Sequence, residues 1–153
     1  MKLYRLHFRQ YLPIGIDTAW AFFLDPRNLA QITPPWLRFR VTSELPEKMY
    51  VGLIITYKIS PILDIPLSWV TEITHMVEPH LFVDEQRFGP YRFWHHQHLF
   101  RETDGGIEIQ DIVHYALYMG PIGRLLHRWL VEPKLRDIFN FRRQALEQRF
   151  KMV

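Results

Sequence analysis

Residues 93–100 read Phe-Trp-His-His-Gln-His-Leu-Phe, and this order alternates between two faces in the manner of a β-strand. One face of that strand carries large aromatic side chains together with histidines: Trp94, His96, His98 and Phe100. Such a mixture suits the wall of a semi-polar pocket better than a dry core. The stretch therefore predicts a binding site on one face of a sheet.

A turn and a second alternating run follow this strand. The turn is Thr-Asp-Gly-Gly at 103–106, and glycine supplies the positive φ that tight hairpin turns require. The second run covers 107–117. Folding the two runs into an antiparallel hairpin predicts three cross-strand neighbours: His98 with Asp111, His96 with Val113, and Trp94 with Tyr115.

Length and composition indicate one domain, residues 1–153, large enough to bury a core. Aromatic residues make up 15% of the chain, a high share that is typical either of a cavity or large apolar interface or of a well-filled core.

The sequence contains no cysteine, which excludes disulfides, zinc–thiolate sites and cysteine nucleophiles. It shows no secretory signal pattern and no apolar run of the roughly 20 residues that a transmembrane helix needs. We therefore expect a cytoplasmic protein without a transmembrane segment. The formal charge is +3, and the most basic region, 136–149, also holds Asp137 and Glu147. This region predicts a solvated helix face and no nucleic-acid partner.

The remaining periodicity predicts a strand at 3–12, a short helix at 18–24 with Asp17 as its N-cap, and a second short helix at 28–32. Six further strands are predicted at 38–44, 53–60, 66–77, 81–88, 91–101 and 107–118. A long helix at 122–150 follows, with a kink near Leu130 caused by Pro133.

This order of elements, at this length, resembles the START-like or helix-grip superfamily over essentially the whole chain. The points of match are the opening at 17–29, the Phe-Val-Asp-Glu-Gln-Arg-Phe-Gly-Pro-Tyr run at 82–91, and Asp-Ile-Val-His-Tyr at 111–115 with Gly120 before the last helix. They are similar to the polyketide cyclase/dehydrase-like ligand-binding branch. The resemblance implies an α+β fold in which a seven-stranded curved antiparallel sheet surrounds the long C-terminal helix, with a cavity between them.

The strand before Gly89 leaves two registers open. A three-residue loop at 89–91 would place Asp84 and Gln86 on the inner face, whereas a two-residue loop would place Glu85 and Arg87 there. His98 and Asp111 are candidates for a ligand anchor or a general acid–base pair, and a structural hydrogen bond is the alternative. His96 and His98 could chelate an ion with Asp84 or Asp111, but a site needs three or four ligands of defined geometry. The sequence therefore predicts no metal and no cofactor.

Other aromatic side chains are expected to line the cavity or to fill the core. Trp129 and Phe139 on the long helix are expected in the core or on the cavity floor, and Trp36 lies where a gate loop would be. The predicted ligand-contacting residues are Tyr57, Trp69, Asp84, Gln86, Trp94, His96, His98, Asp111, Val113, Tyr115 and Trp129.

Three functions fit these observations. The first is binding of a small hydrophobic or aromatic molecule, with His96, His98 and Asp111 fixing its orientation. The second is a cyclase, aromatase or dehydratase that uses a pocket histidine. The third is a protein-interaction or membrane-surface module that uses the aromatic side chains near Trp36 and the basic C-terminal helix. The sequence leaves the oligomeric state open between monomer and homodimer.

Overall fold

One antiparallel sheet organises residues 1–151, the part of the chain that the computed structural model describes. Its seven strands are β1 (Tyr4–Leu12), β2 (Arg40–Val41), β3 (Ile54–Ile59), β4 (Leu67–Val77), β5 (Leu81–Phe88), β6 (Phe93–Thr103) and β7 (Gly106–Ala116). They lie in the order β1-β7-β6-β5-β4-β3-β2. The predicted α+β fold with seven strands is confirmed.

Two helical regions cover the sheet. After β1 come helix α1 (Ile16–Leu24) and two 3₁₀ turns, Pro26–Ile32 and Pro35–Leu37. After β7 comes a continuous helical run made of α2 (Gly120–Leu126), a π turn (His127–Val131) and α3 (Glu132–Arg149). Where a kink near Leu130 was predicted from Pro133, the helix contains the π turn, and Pro133 lies in the first turn of α3.

The β6–β7 hairpin has the predicted register. His98 pairs with Asp111, His96 with Val113, and Trp94 with Tyr115. Gly105, at the turn, has a φ of 81°, a backbone conformation that favours glycine. The hairpin therefore brings His96, His98 and Asp111 to one face of the sheet, because residues paired directly across two strands share a face.

The β5–β6 register follows the three-residue loop, since Asp84 pairs with His96. Asp84 therefore shares a face with His96. The alternative, with Glu85 and Arg87 inside, is wrong: Arg87 is exposed and forms a salt bridge with Glu72 on β4.

The interior of the protein lies between the curved sheet and one face of α3. The β4–β5 pair contains two register shifts, and such irregularities bend a strand and increase its twist. Helix α3 turns Leu135, Phe139 and Leu146 inward. Leu135 and Phe139 pack in the same cluster as Trp69 and Trp94, so the helix closes over the concave side of the sheet.

Two local predictions need correction. The strand expected at 38–44 is reduced to Arg40–Val41, because Arg38 adopts a left-handed conformation after the Pro35–Leu37 turn. The N-cap of α1 is Gly15, whose backbone is extended, and Asp17 lies within the first turn. There its carboxylate still interacts favourably with the helix dipole.

Close packing at the start of β7 makes Gly106 intolerant of a side chain. A Cβ at this position would lie 2.2 Å from the Leu12 carbonyl oxygen and 3.0 Å from Pro13 Cα. We expect Gly106→Ala to lower the free energy of unfolding by about 1–3 kcal/mol, because backbone must move to relieve the contact. Urea denaturation measures this change.

The matched control is Gly15→Ala, where a Cβ meets nothing within 4 Å and φ is −72°. Gly15→Ala should lower the free energy of unfolding by less than about 1 kcal/mol, which is the scale of an N-cap effect. Equal losses at the two positions would contradict the packing argument.

Candidate functional site: a cavity with a buried polar cluster

A cavity of about 440 Å³ lies between the sheet and the helical layer. Its wall is mostly apolar and is contributed by α1, the 3₁₀ turns, the inner faces of β3 to β6, and α2 to α3. The volume falls in the range of small-molecule sites.

Aromatic side chains form the wall on the sheet side. The Tyr57 and Trp69 rings are stacked with centroids 5.7 Å apart, and Trp69 meets Trp94 edge-to-face at 5.2 Å. Tyr91 packs against both tryptophans. These four side chains line the cavity, and three of them were predicted; Tyr91 follows the Gly89-Pro90 turn and was not.

A cluster of five polar side chains interrupts this apolar wall, and we call it the polar cluster: Asp84, His96, His98, Asp111 and Arg142. Strands β5, β6 and β7 supply the first four, and α3 supplies Arg142. All but Asp111 line the cavity. Asp84 is the least covered member, so its carboxylate is the group most accessible from the cavity.

Both carboxylates of the polar cluster accept hydrogen bonds from imidazoles. His98 Nε2 donates to Asp84 Oδ2 at 2.6 Å, and His96 Nε2 donates to Asp111 Oδ1 at 2.8 Å. The predicted pair of His98 and Asp111 is present with 3.2 Å between Nδ1 and Oδ1, but each residue makes its shortest contact with a different partner. The diagonal contacts therefore dominate the geometry.

Arg142 brings the one guanidinium of the polar cluster. Its Nη2 lies 3.2 Å from Asp111 Oδ1 and 3.2 Å from His98 Nδ1, and its side chain is buried. The cluster thus contains two carboxylates and one guanidinium. Asp111 is paired with Arg142, so Asp84 is the carboxylate that the cluster presents to the cavity.

The pKa values follow from burial and from these contacts. Burial alone would raise the pKa of Asp111, but the Arg142 guanidinium and the two imidazoles hold it well below 3.8. Burial opposes ionisation of Asp84 as well, yet His96 and His98 lower its pKa. Burial lowers the pKa of His96 below 6.5, and the nearby His98 adds to that effect. The carboxylates are therefore ionised while His96 is neutral near pH 7.

The structure separates the predicted ligand-contacting residues into two groups. Those that line the cavity are Tyr57, Trp69, Asp84, Trp94, His96 and His98. Gln86, Asp111, Val113, Tyr115 and Trp129 do not line it.

The five predicted residues that do not line the cavity lie elsewhere in the structure. Gln86 holds the 89–91 turn, since its amide donates to the Tyr91 carbonyl at 2.6 Å. Asp111 lies behind the histidines, and Val113 is fully buried. The Tyr115 hydroxyl is 2.7 Å from His127 Nε2. Trp129 is 72% exposed, which corrects its expected place on the cavity floor.

Arg142 is the one member of the polar cluster that was not predicted. The basic composition of 136–149 predicts a solvated helix face, whereas Arg142 is only 7% exposed. A signal was present: Arg142 falls on the same helical stripe as Leu135, Phe139 and Leu146, all of which are buried. A charged residue on an apolar stripe indicates a buried partner.

Three side chains of the polar cluster have the residue types of a metal site. Asp84, His96 and His98 bring ligand atoms within 4.8 Å of one another. These side chains already hydrogen-bond within the cluster, and the adjacent Arg142 guanidinium would oppose a divalent cation. The absence of a metal stays a prediction.

Acid should weaken the fold through His96. The folded-state pKa lies below the unfolded value near 6.5, so the unfolded chain binds the proton first and the free energy of unfolding falls as the pH drops below 6.5. The limit is about 1.4 kcal/mol per pH unit for one proton. Urea titrations between pH 8 and pH 5 should show a shallower decline in His96→Gln.

Exposed His7 provides the control, because His7→Gln removes a histidine outside the polar cluster. This variant should retain the slope of the unmodified protein. A His96→Gln slope equal to that of His7→Gln would contradict the assignment.

No protein-family model matches this chain, and no curated protein matches it. Solved structures do resemble it. The crystal structure of Ms6760 from Mycobacterium smegmatis is 19% identical, covers 95% of this chain and 92% of its own, and has a TM-score of 0.66. Ginseng major latex-like protein 151 from Panax ginseng is 12% identical over 98% of this chain and 99% of its own, with a TM-score of 0.69.

A third similar structure is much longer than this chain. The nucleoside-diphosphate sugar epimerase from Corynebacterium glutamicum is 18% identical over 94% of this chain but only 28% of its own, with a TM-score of 0.65. At such identities these likenesses show the fold alone. This fold is the helix-grip fold, a curved antiparallel sheet around a long C-terminal helix.

Proposed function

We propose that this protein binds one small apolar or aromatic molecule in the cavity between the sheet and α3. The observation that supports the proposal is an apolar cavity of about 440 Å³ with ionisable groups gathered at one place on its wall. Pockets for small molecules have this composition, because apolar walls supply affinity and a few polar groups set orientation. Each Å² of apolar surface removed from water contributes about 25 cal/mol.

Asp84 is the proposed orienting group. Its oxygens accept from Trp94 Nε1 at 3.3 Å and from His98 Nε2 at 2.6 Å, and a carboxylate has capacity for further donors. Asp84 lines the cavity and its lowered pKa keeps it ionised, so it favours a ligand that donates a hydrogen bond, such as an alcohol, and disfavours a carboxylate. Discrimination then comes from whether the ligand can pair with a buried charge.

The acid–base enzyme is a weaker candidate. A pocket histidine could transfer a proton, but His96 and His98 each face a carboxylate with both ring nitrogens. A general base needs a nitrogen within hydrogen-bond reach of the substrate. This mutual engagement favours a binding role for the polar cluster.

Filling the cavity should abolish binding. Ile138 lines the cavity from α3 and is only partly buried, so Ile138→Trp adds volume inside it. We expect at least a tenfold loss of affinity for the neutral fluorescent probe N-phenyl-1-naphthylamine, measured by fluorescence titration. Native mass spectrometry of the purified protein would also identify any molecule that it retains.

The control is Ile54→Trp, at a half-exposed β3 position that does not line the cavity. This variant should bind the probe as the unmodified protein does. Full binding by Ile138→Trp would overturn the cavity as the site.

Asp84 should discriminate between ligands of one shape. The test compounds are 2-naphthylmethanol, 2-ethylnaphthalene and 2-naphthoate, and their affinities are measured by competition with the probe. We expect the alcohol to bind most tightly and the carboxylate least tightly, with affinities that differ by about tenfold or more. The reason is that a hydrogen bond to a charged group is worth about 1.5–3 kcal/mol. Asp84→Asn removes the negative charge and should narrow the gap between alcohol and carboxylate.

Glu85→Gln is the matched control, since Glu85 is the next residue of β5 and points to the opposite face. Glu85→Gln should leave the order of affinity of the three compounds unchanged. Strong binding of all three compounds without preference would support the cavity but contradict the role of Asp84.

A further inference from the structure

Large apolar side chains are exposed around the entrance of the cavity. Five residues both line the cavity and are substantially exposed: Trp36, Ile62, Tyr118, Met119 and Leu126. A residue with both properties lies at a mouth, where the interior meets solvent. This mouth is formed by the Pro35–Leu37 turn, the loop at 61–65, the β7–α2 connection and α2.

The helical side of the mouth extends the exposed apolar surface. Ile122 is 58% exposed, Leu125 is 64% exposed and Trp129 is 72% exposed. With Leu126, these positions follow the i, i+3, i+4, i+7 spacing of one helix face, yet this face is turned to solvent. We call the eight side chains the apolar rim: Trp36, Ile62, Tyr118, Met119, Ile122, Leu125, Leu126 and Trp129.

Basic residues lie among the apolar rim. The segment 119–131 contains Arg124 and Arg128 and has no Asp or Glu. The Lys134 ammonium lies 4.6 Å from the centre of the Trp36 ring, and the Arg128 guanidinium lies 5.5 Å from that of Trp129. An exposed apolar helix face with Trp and Arg is the composition of a helix that lies in a membrane interface.

Charge distinguishes a lipid surface from a second copy of this chain. A symmetric dimer through the apolar rim would place the same basic segment on both sides of the interface, so Arg124 and Arg128 would meet like charges. Phosphate groups of anionic lipids would instead neutralise them. No helix within residues 1–151 is long and apolar enough to cross a membrane.

We propose that the apolar rim docks the cavity mouth onto the surface of a bilayer that contains anionic phospholipid. Ile122, Leu125 and Trp129 enter the interface between headgroups and acyl chains, and Arg124 and Arg128 contact phosphates. The side chains proposed to contact the bilayer do not line the cavity, so the proposal holds whether or not the cavity ligand is the one proposed above.

Vesicle co-sedimentation tests the proposal with the full chain. The protein should bind vesicles of phosphatidylcholine with 30% phosphatidylglycerol more tightly than pure phosphatidylcholine. Trp129→Glu combined with Leu125→Glu should weaken binding by at least tenfold. Arg124→Gln with Arg128→Gln should weaken it by about 25-fold, about fivefold for each charge, and should reduce its sensitivity to salt.

The control is Tyr11→Glu, which places a negative charge on an exposed aromatic position of β1. Tyr11 lies seven residues along that strand from Tyr4, which stacks on His127 near the mouth, so the two positions are about 23 Å apart. This variant should bind vesicles normally. Circular dichroism and probe binding in the cavity should be unchanged in all variants, which separates loss of docking from misfolding and from failure of the proposed ligand site.

Three results would overturn the proposal. The first is absence of binding to either vesicle, and the second is equal binding by Tyr11→Glu and the Trp129/Leu125 double variant. The third is a concentration-dependent dimer in sedimentation velocity that the same double variant abolishes, which would assign the apolar rim to a second copy of the chain.

Discussion

The buried ion pair between Arg142 of α3 and Asp111 of β7 joins the two layers of this protein. Its Nη2–Oδ1 distance is 3.2 Å, and Asp111 also receives the His96 hydrogen bond at 2.8 Å. Removing one partner from a buried pair typically costs about 3–5 kcal/mol, because the other charge is left without compensation. The pair therefore constrains the rotation of α3 against the sheet, and Leu135, Phe139 and Leu146 pack on the same helical stripe.

Periodicity and turn chemistry were sufficient to predict the order of most elements and the β6–β7 pairing, whereas the curved sheet around the C-terminal helix was implied by the resemblance to helix-grip proteins. The alternation of 93–100 and the glycine turn at 103–106 fix which residues of β6 and β7 pair, and the structure has that register. The prediction was wrong where the local sequence has only a weak preference for one backbone conformation. The segment 38–44 has strand-like residues, but Arg38 takes a left-handed turn and only two residues pair with β3.

The polar cluster was predictable only in part, because its members come from different layers. Strand pairing places Asp84, His96, His98 and Asp111 together, and the sequence contains that pairing. Arg142 is 44 residues away from His98 along the chain and reaches the other four residues only because α3 packs against the sheet. The prediction for Trp129 is wrong for the opposite reason: the helical stripe predicts burial, but the side chain is 72% exposed and no described segment covers it.

The polar cluster lies inside the cavity and the apolar rim surrounds its mouth, and this arrangement sets the direction in which a ligand would enter. Arg142 lies eight residues beyond Lys134 along α3, about 12 Å of helix rise, and Lys134 contacts Trp36 at the mouth. An amphiphile in a bilayer keeps its polar group at the surface, nearest to a docked mouth. That group would enter first and pair with Asp84, while its apolar part remains against the aromatic wall. A ligand that entered in this way would have the orientation that the Asp84 proposal requires, with its hydrogen-bond donor innermost.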